Sequence, residues 1–189
     1  MVICARRLDR LKKLCLSASR NLFAYKCDLT EANEVKAMME WIERTLGPLE
    51  VVINNAGVMK YGRLLDQSPR EWEVMTDLNL LAGTYVTQLA IENMVGRNSG
   101  TVIFINSMAG HVENDNCMTT MYNATKYALT ILIDSWRQEV NPFLFQLLTI
   151  SPTEMFLKKE TSVNNGIQSK ICSKSMQNVQ NLQTYNNEK

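Results

Sequence analysis

Over the first 157 residues, short apolar runs alternate with longer stretches at helical spacing. Val2–Ala5 is apolar, and Leu8, Leu11, Leu14 and Cys15 then recur at the spacing of one helix face. Leu22–Tyr25 reads as a second short strand. Thr30 stands where a cap is needed, ahead of a stripe of Val35, Met38, Met39, Ile42 and Leu46, and Gly47-Pro48 ends that helix. Leu49–Asn54 is largely apolar, as expected of a strand covered on both faces. Ser68-Pro69-Arg70-Glu71 is a helix start: Ser68 caps, Pro69 takes the first helical position and Glu71 closes a capping box. That helix is predicted to reach about Asn93. Thr101–Asn106 is the next strand. A helix follows from Thr119 to about Val140, with Tyr127, Ile131 and Trp136 as its apolar positions, and Asn141-Pro142 breaks it. Phe145–Ile150 is one more strand. Strands separated by helices mean βαβ units and a parallel α/β sheet.

The remainder differs. Residues 158–189 are rich in Asn, Gln, Ser and Lys, which predicts a polar, weakly structured tail behind a domain over 1–157. No internal repeat is present.

Composition narrows the function classes. With 46% hydrophobic and 21% charged residues, the chain is neither disordered throughout nor a fibre. A net charge of +1 gives no broad attraction to nucleic acid or to an anionic membrane. No apolar run approaches the ~18 residues of a membrane span. The start, Met1-Val-Ile-Cys-Ala-Arg-Arg, is apolar and then basic, the reverse of a secretory signal. Five scattered cysteines without a CxxC pair fit free thiols in the cytoplasm, and with a single histidine no metal site is expected. The 8 glycines are never closer than four residues apart, so the 189 residues hold no glycine-rich phosphate loop.

Candidate chemistry centres on Tyr122 and Lys126. Four apart on a helix, they share a face, and a nearby ammonium favours the phenolate, giving a general acid/base near neutral pH. Alone, that spacing also describes a surface tyrosine beside a surface lysine. It is accompanied, however, by three polar strand ends: Asp28-Leu29, Asn54-Asn55-Ala56-Gly57 and Asn106-Ser107-Met108-Ala109-Gly110. Each alone reads as turn chemistry. Together they line the carboxyl ends of successive strands, where ligands bind in open α/β sheets.

With these motifs the sequence resembles the short-chain dehydrogenase/reductase family. The resemblance rests on Asn54-Asn55-Ala56-Gly57, on Asn79 within Asp77-Leu78-Asn79-Leu80, on Ser107 with Met-Ala-Gly behind it, and on Tyr122-Asn123-Ala124-Thr125-Lys126, in order from about Val2 to Pro152. Cys4-Ala5-Arg6-Arg7-Leu8-Asp9-Arg10, Tyr25-Lys26-Cys27-Asp28-Leu29-Thr30 and Asn106–His111 are similar to the branch holding insect farnesol dehydrogenases and related dehydrogenase/reductases. The resemblance implies a three-layer Rossmann-like parallel sheet with helices on both faces. It also implies an oxidoreductase that interconverts an alcohol and a carbonyl on a small hydrophobic substrate, working as a homodimer or homotetramer. Tyr122 would exchange the proton with the substrate oxygen. Lys126 would lower its pKa and bond the nicotinamide ribose. Ser107 would hold the substrate oxygen, and Asn79 would hold a water in a proton relay. Asp28 and Leu29 would contact adenine, and Asn55, Ala56 and Gly57 would let the backbone approach the cofactor. Arg6 and Arg7 follow the first strand with no acidic residue before Asp9, which favours NADP over NAD.

Against the family pattern, the first strand, its glycine-rich turn and helix are missing, as is the last strand, and Thr153 follows Ser151-Pro152 where glycine is usual. The absent turn would hold the pyrophosphate, so this chain is expected to bind NADPH weakly or not at all. The strand groups on either side of the absent strand must pair directly or leave backbone groups unpaired. One alternative is an inactive remnant that acts as an interaction partner. Another is a sugar-nucleotide epimerase or dehydratase, against which Asn54–Gly57 speaks. Nucleophilic catalysis by Ser107 with His111 lacks the GxSxG elbow, since Ile105 precedes Ser107 by two; His111 reads as a loop histidine. Met38, Met39 and Met75 read as core packing.

Overall fold

A computed structural model of the chain describes residues 1–17, 21–112, 117–140 and 146–152. The chain divides into Met1–Thr153 and Glu154–Lys189. The predicted tail over 158–189, the Asn141-Pro142 break, Phe145 and Thr153 lie outside the described residues.

Strands and helices alternate as the periodicity requires: β1 (Val2–Ala5), α1 (Leu8–Ser17), β2 (Phe23–Lys26), α2 (Ala32–Leu46), β3 (Val51–Asn54), α3 (Pro69–Thr76), α4 (Ala82–Val95), β4 (Thr101–Ile105), α5 (Thr120–Val140) and β5 (Gln146–Ile150). A π-helical turn (Asp77–Leu81) joins α3 to α4, and a 3-10 turn (Met108–Gly110) follows β4. The capping box forms, with the Glu71 carboxylate accepting from the Ser68 backbone N–H at 3.0 Å. Gly47 ends α2 with φ of 94°, a left-handed value that glycine adopts without strain. Thr30 does not cap α2. Glu31 takes that position, while the Thr30 hydroxyl and N–H both donate to Asp28 Oδ1, at 2.8 and 3.1 Å. The aspartate acceptor lies two residues back and outcompetes the helix end.

All strand pairs are parallel, but they form two sheets rather than one. β1 pairs with β2, and β3-β4-β5 form the other sheet. Register is regular in both: Val2 lies opposite Phe23, Val51 opposite Thr101, and Thr101 opposite Gln146. Of the two outcomes open to strands flanking an absent neighbour, unpaired edges is the one observed: β1 and β3 do not bond each other. A single core nonetheless joins both sheets. Val35, Met38, Met39 and Ile42 of α2 meet Val86, Ala90 and Met94 of α4, with Val2, Cys4 and Tyr25 packed from the first sheet and Val102 and Phe104 from the second.

Central β4 is covered on both faces, since Val102, Ile103 and Phe104 are all buried. β3 is not, contrary to its apolar sequence. Val52 and Asn54 face α4, whereas Val51 and Ile53 are 53% and 48% exposed. α5 also differs from expectation. Its buried face is Tyr122, Thr125, Lys126, Leu129, Ile133 and Val140, and Tyr127 and Ile131 lie outside, with Trp136 tilted against Phe104. Met38, Met39 and Met75 are buried, as their spacing indicated.

Candidate active site

The carboxyl ends of β2, β3 and β4 carry Asp28, Asn54–Gly57 and Asn106–Ser107, so the polar strand ends fall at one end of their sheets. Tyr122 and Lys126 come from the first and second turns of α5. Both are 3% exposed, and the Lys126 ammonium lies 5.9 Å from the Tyr122 ring centroid. The Tyr122 hydroxyl is buried with no hydrogen-bond partner among the described residues. Ser107 faces it closely enough to influence its titration without completing a bond of ordinary geometry. The Ser107 hydroxyl itself accepts from the Ala109 N–H at 3.2 Å, capping the 3-10 turn.

Electrostatics depart from expectation here. Burial pushes the Tyr122 phenol above its ordinary value; Ser107 opposes this and Tyr61 adds to it. Burial outweighs the opposing influences on the phenol, and the Lys126 ammonium donates to the Ile105 carbonyl at 3.1 Å. Burial pushes Lys126 itself down to about 8. The pair is therefore neutral phenol beside a weakened ammonium.

Asn79 sits in the π-helical turn and is 4% exposed. Its Oδ1 accepts from the Val58 N–H at 2.7 Å, and its Nδ2 donates to the Val58 carbonyl at 2.9 Å and to Thr125 Oγ1 at 3.1 Å. Both amide protons are thus engaged. The side chain ties the β3 end to α5. The extra residue of the π turn turns it inward. Gly57 leaves room for this tie, since a Cβ there would stand 3.3 Å from Asn79 Oδ1.

At the far end, Arg6 reaches Asp28 at 3.9 Å across the ends of β1 and β2, its side chain 73% exposed. Arg7 is exposed and Leu29 half-buried. The Asp28 carboxyl is held below its ordinary value: burial raises it, but the Thr30 hydrogen bonds and Arg6 prevail. Asn55, Ala56 and Gly57 are all exposed at the β3 end. His111 is bonded to Ser151 Oγ at 2.8 Å and does not engage Ser107. Three further residues belong to the site: Asn106, Gly110 and Thr130. Their signals were faint, an asparagine inside a turn motif and a threonine four residues past the lysine.

The sequence profile described as short chain dehydrogenase matches residues 1–166. The chain belongs to the short-chain dehydrogenase family. It is 38% identical over 147 residues to dehydrogenase/reductase SDR family member 11 of Gallus gallus, covering 74% of this chain and 58% of that one. It is 32% identical over 143 residues to a farnesol dehydrogenase of Aedes aegypti, covering 72% and 58%. Among solved structures, the closed form of a serine dehydrogenase complexed with NADP+ superposes with a TM-score of 0.75 at 25% identity, covering 80% of this chain and 61% of that one. This short-chain dehydrogenase thus spans a little over half the length of the curated relatives it matches. Its parallel, helix-flanked sheets are of the Rossmann type. Among the described residues, no helix is long and apolar enough to cross a membrane.

Proposed function

We propose that residues 1–157 form the catalytic domain of an NADP-dependent oxidoreductase that interconverts an alcohol and a carbonyl on a small hydrophobic substrate. The observation that carries this reading is the buried, unpartnered Tyr122 hydroxyl facing Ser107, with Lys126 behind it. A buried hydroxyl without a partner costs free energy, and a substrate oxygen is the partner that Tyr122 and Ser107 together would receive.

Bound NADPH supplies the hydride. Tyr122 then gives its proton to the carbonyl oxygen that Ser107 orients, and its raised pKa keeps it protonated for this reduction. Lys126 has ammonium protons beyond the one on Ile105, which leaves donors for the nicotinamide ribose. Asn79 holds the segment after Gly57 and the α5 turn at Thr125 in register. Asn55, Ala56 and Gly57 present exposed backbone to the cofactor, while Asp28 and Leu29 border adenine. Arg6 and Arg7 offer guanidinium groups to the 2′-phosphate, which favours NADP over NAD. The farnesol dehydrogenase and the NADP+-bound serine dehydrogenase among the relatives support substrate class and cofactor. Free thiols at Cys4, Cys15, Cys27 and Cys117 support a cytoplasmic setting. Exposed Leu81 at the end of the π-helical turn, Tyr85 on α4 and Tyr127 and Ile131 on α5 support pairing with a second copy.

The test is NADPH oxidation, at raised cofactor concentration, with a panel of aldehydes, ketones and quinones. Tyr122→Phe is expected to lower turnover by about 10²–10⁴-fold. Turnover that survives the substitution overturns the mechanism.

A further inference from the structure

Thr130 lies one helical turn beyond Lys126, and its hydroxyl is a junction. It accepts from Asn106 Nδ2 at 2.8 Å. It stands 2.9 Å from the Gly110 carbonyl and 3.1 Å from the Lys126 carbonyl, which share its one proton. Asn106 is fully buried and lies between two site residues in the chain. Before it, the Ile105 carbonyl accepts from the Lys126 ammonium. After it, Ser107 faces Tyr122. Its own N–H donates to the Ile150 carbonyl at 2.8 Å, and Nδ2 also reaches the Lys126 carbonyl at 3.4 Å. Gly110 completes the arrangement, because a Cβ there would stand 2.5 Å from the Lys126 carbonyl oxygen. The turn backbone therefore rests directly on α5.

We propose that Asn106 and Thr130 are positioning residues: they lock the helical turn bearing Lys126 onto the end of β4 and so hold Tyr122, Lys126 and Ser107 in one geometry. A helical threonine bonding four residues back is a local event. Accepting a bond from a buried amide on another element is not. Asn106 also leaves its Oδ1 unpartnered, a cost that an apolar residue filling the same space would avoid.

The inference rests on the oxidoreductase reading for its rate, but not for its second readout. Thr130→Val keeps the shape and removes the hydroxyl, Thr130→Ser restores it, and Asn106→Ser shortens the other arm. Steady-state rates, the thermal midpoint and the Lys126 titration (¹³Cε lysine NMR, assigned with Lys126→Arg) are measured for each. Thr130→Val is expected to lose kcat by about 10²-fold with KM within about threefold, and Thr130→Ser to recover most of it. The Lys126 midpoint is expected to leave the region of about 8 in Thr130→Val and Asn106→Ser, and to stay there in Thr130→Ser. Wild-type kcat and midpoint in Thr130→Val overturn the proposal. So do losses that follow the thermal midpoint and are not restored by serine. Absence of turnover in every form, wild type included, sinks the oxidoreductase reading, and the Lys126 midpoint then decides the positioning role alone.

Discussion

Lys126 is 3% exposed, and burial lowers its pKa from 10.5 to about 8. The folded protein therefore binds this proton more weakly than the unfolded chain. Between about pH 8 and 10.5 the unfolded chain holds more protons, so stability rises with pH across that window. Below pH 8 both states are protonated, and the whole cost of the buried charge applies. Lys126→Met is accordingly expected to stabilise the fold by about 2 kcal/mol near neutral pH. The advantage should shrink as pH rises through the window. Urea unfolding at both ends measures it, and an equal difference at each pH would contradict the account. Gly110→Ala acts in the opposite direction. The atom it meets, the Lys126 carbonyl oxygen at 2.5 Å, is backbone and cannot swing aside. A loss of about 1–3 kcal/mol is expected, visible as a lower urea midpoint. At this scale the Tyr122–Lys126 pair was legible because four residues is one helical turn. The sense of the tyrosine shift was not, since spacing along a helix does not reveal how deeply the phenol is buried.

Helix α5 shows why an element can be located correctly and oriented wrongly. Its limits agree with the sequence reading to within a residue, yet Tyr127 and Ile131 are 38% and 66% exposed. Apolar spacing marks a face that avoids water without saying whether the cover is this chain or another. The polar stripe of Thr125 and Lys126 is buried instead, bonded to Asn79 and to the Ile105 carbonyl. Ile131→Glu is therefore expected to change stability by no more than about 0.5 kcal/mol. It is expected to dissociate the proposed pair of subunits, which sedimentation velocity reads directly. An assembly unaffected by the glutamate would remove α5 from the interface. Strand β3 repeats the lesson, its Val51 and Ile53 being apolar but uncovered. The π-helical turn at Asp77–Leu81 left no trace in the periodicity. One inserted residue is smaller than the scatter of such patterns, although Asn79 with its three hydrogen bonds lies within it.

Across the whole molecule, the proposed nucleotide site falls into two parts that no strand among the described residues connects. Arg6 and Asp28 stand at the end of the two-stranded sheet, and Ser107, Tyr122 and Lys126 at the end of the three-stranded one. A dinucleotide lies across such a sheet with its pyrophosphate between the adenosine and nicotinamide ends. That span corresponds to the unpaired edges of β1 and β3, and these 189 residues hold no glycine-rich turn to place there. The α2–α4 core keeps the sheets together but supplies no backbone N–H groups to a phosphate. On the proposed reading, each end would recognise its portion of NADPH while the charged centre stays in water. Affinity should be weak, with a Kd above the ~1 µM–1 mM range in which enzymes commonly hold substrates or at its upper end. The end contacts should still be visible within it: if Arg6 binds the 2′-phosphate as proposed, Arg6→Ala is expected to weaken NADPH more than NADH. Fluorescence titration with both nucleotides separates the cases. Saturation at micromolar NADPH would show that the open edges of β1 and β3 need no cradle between them, and equal losses for the two nucleotides would take Arg6 out of the cofactor site.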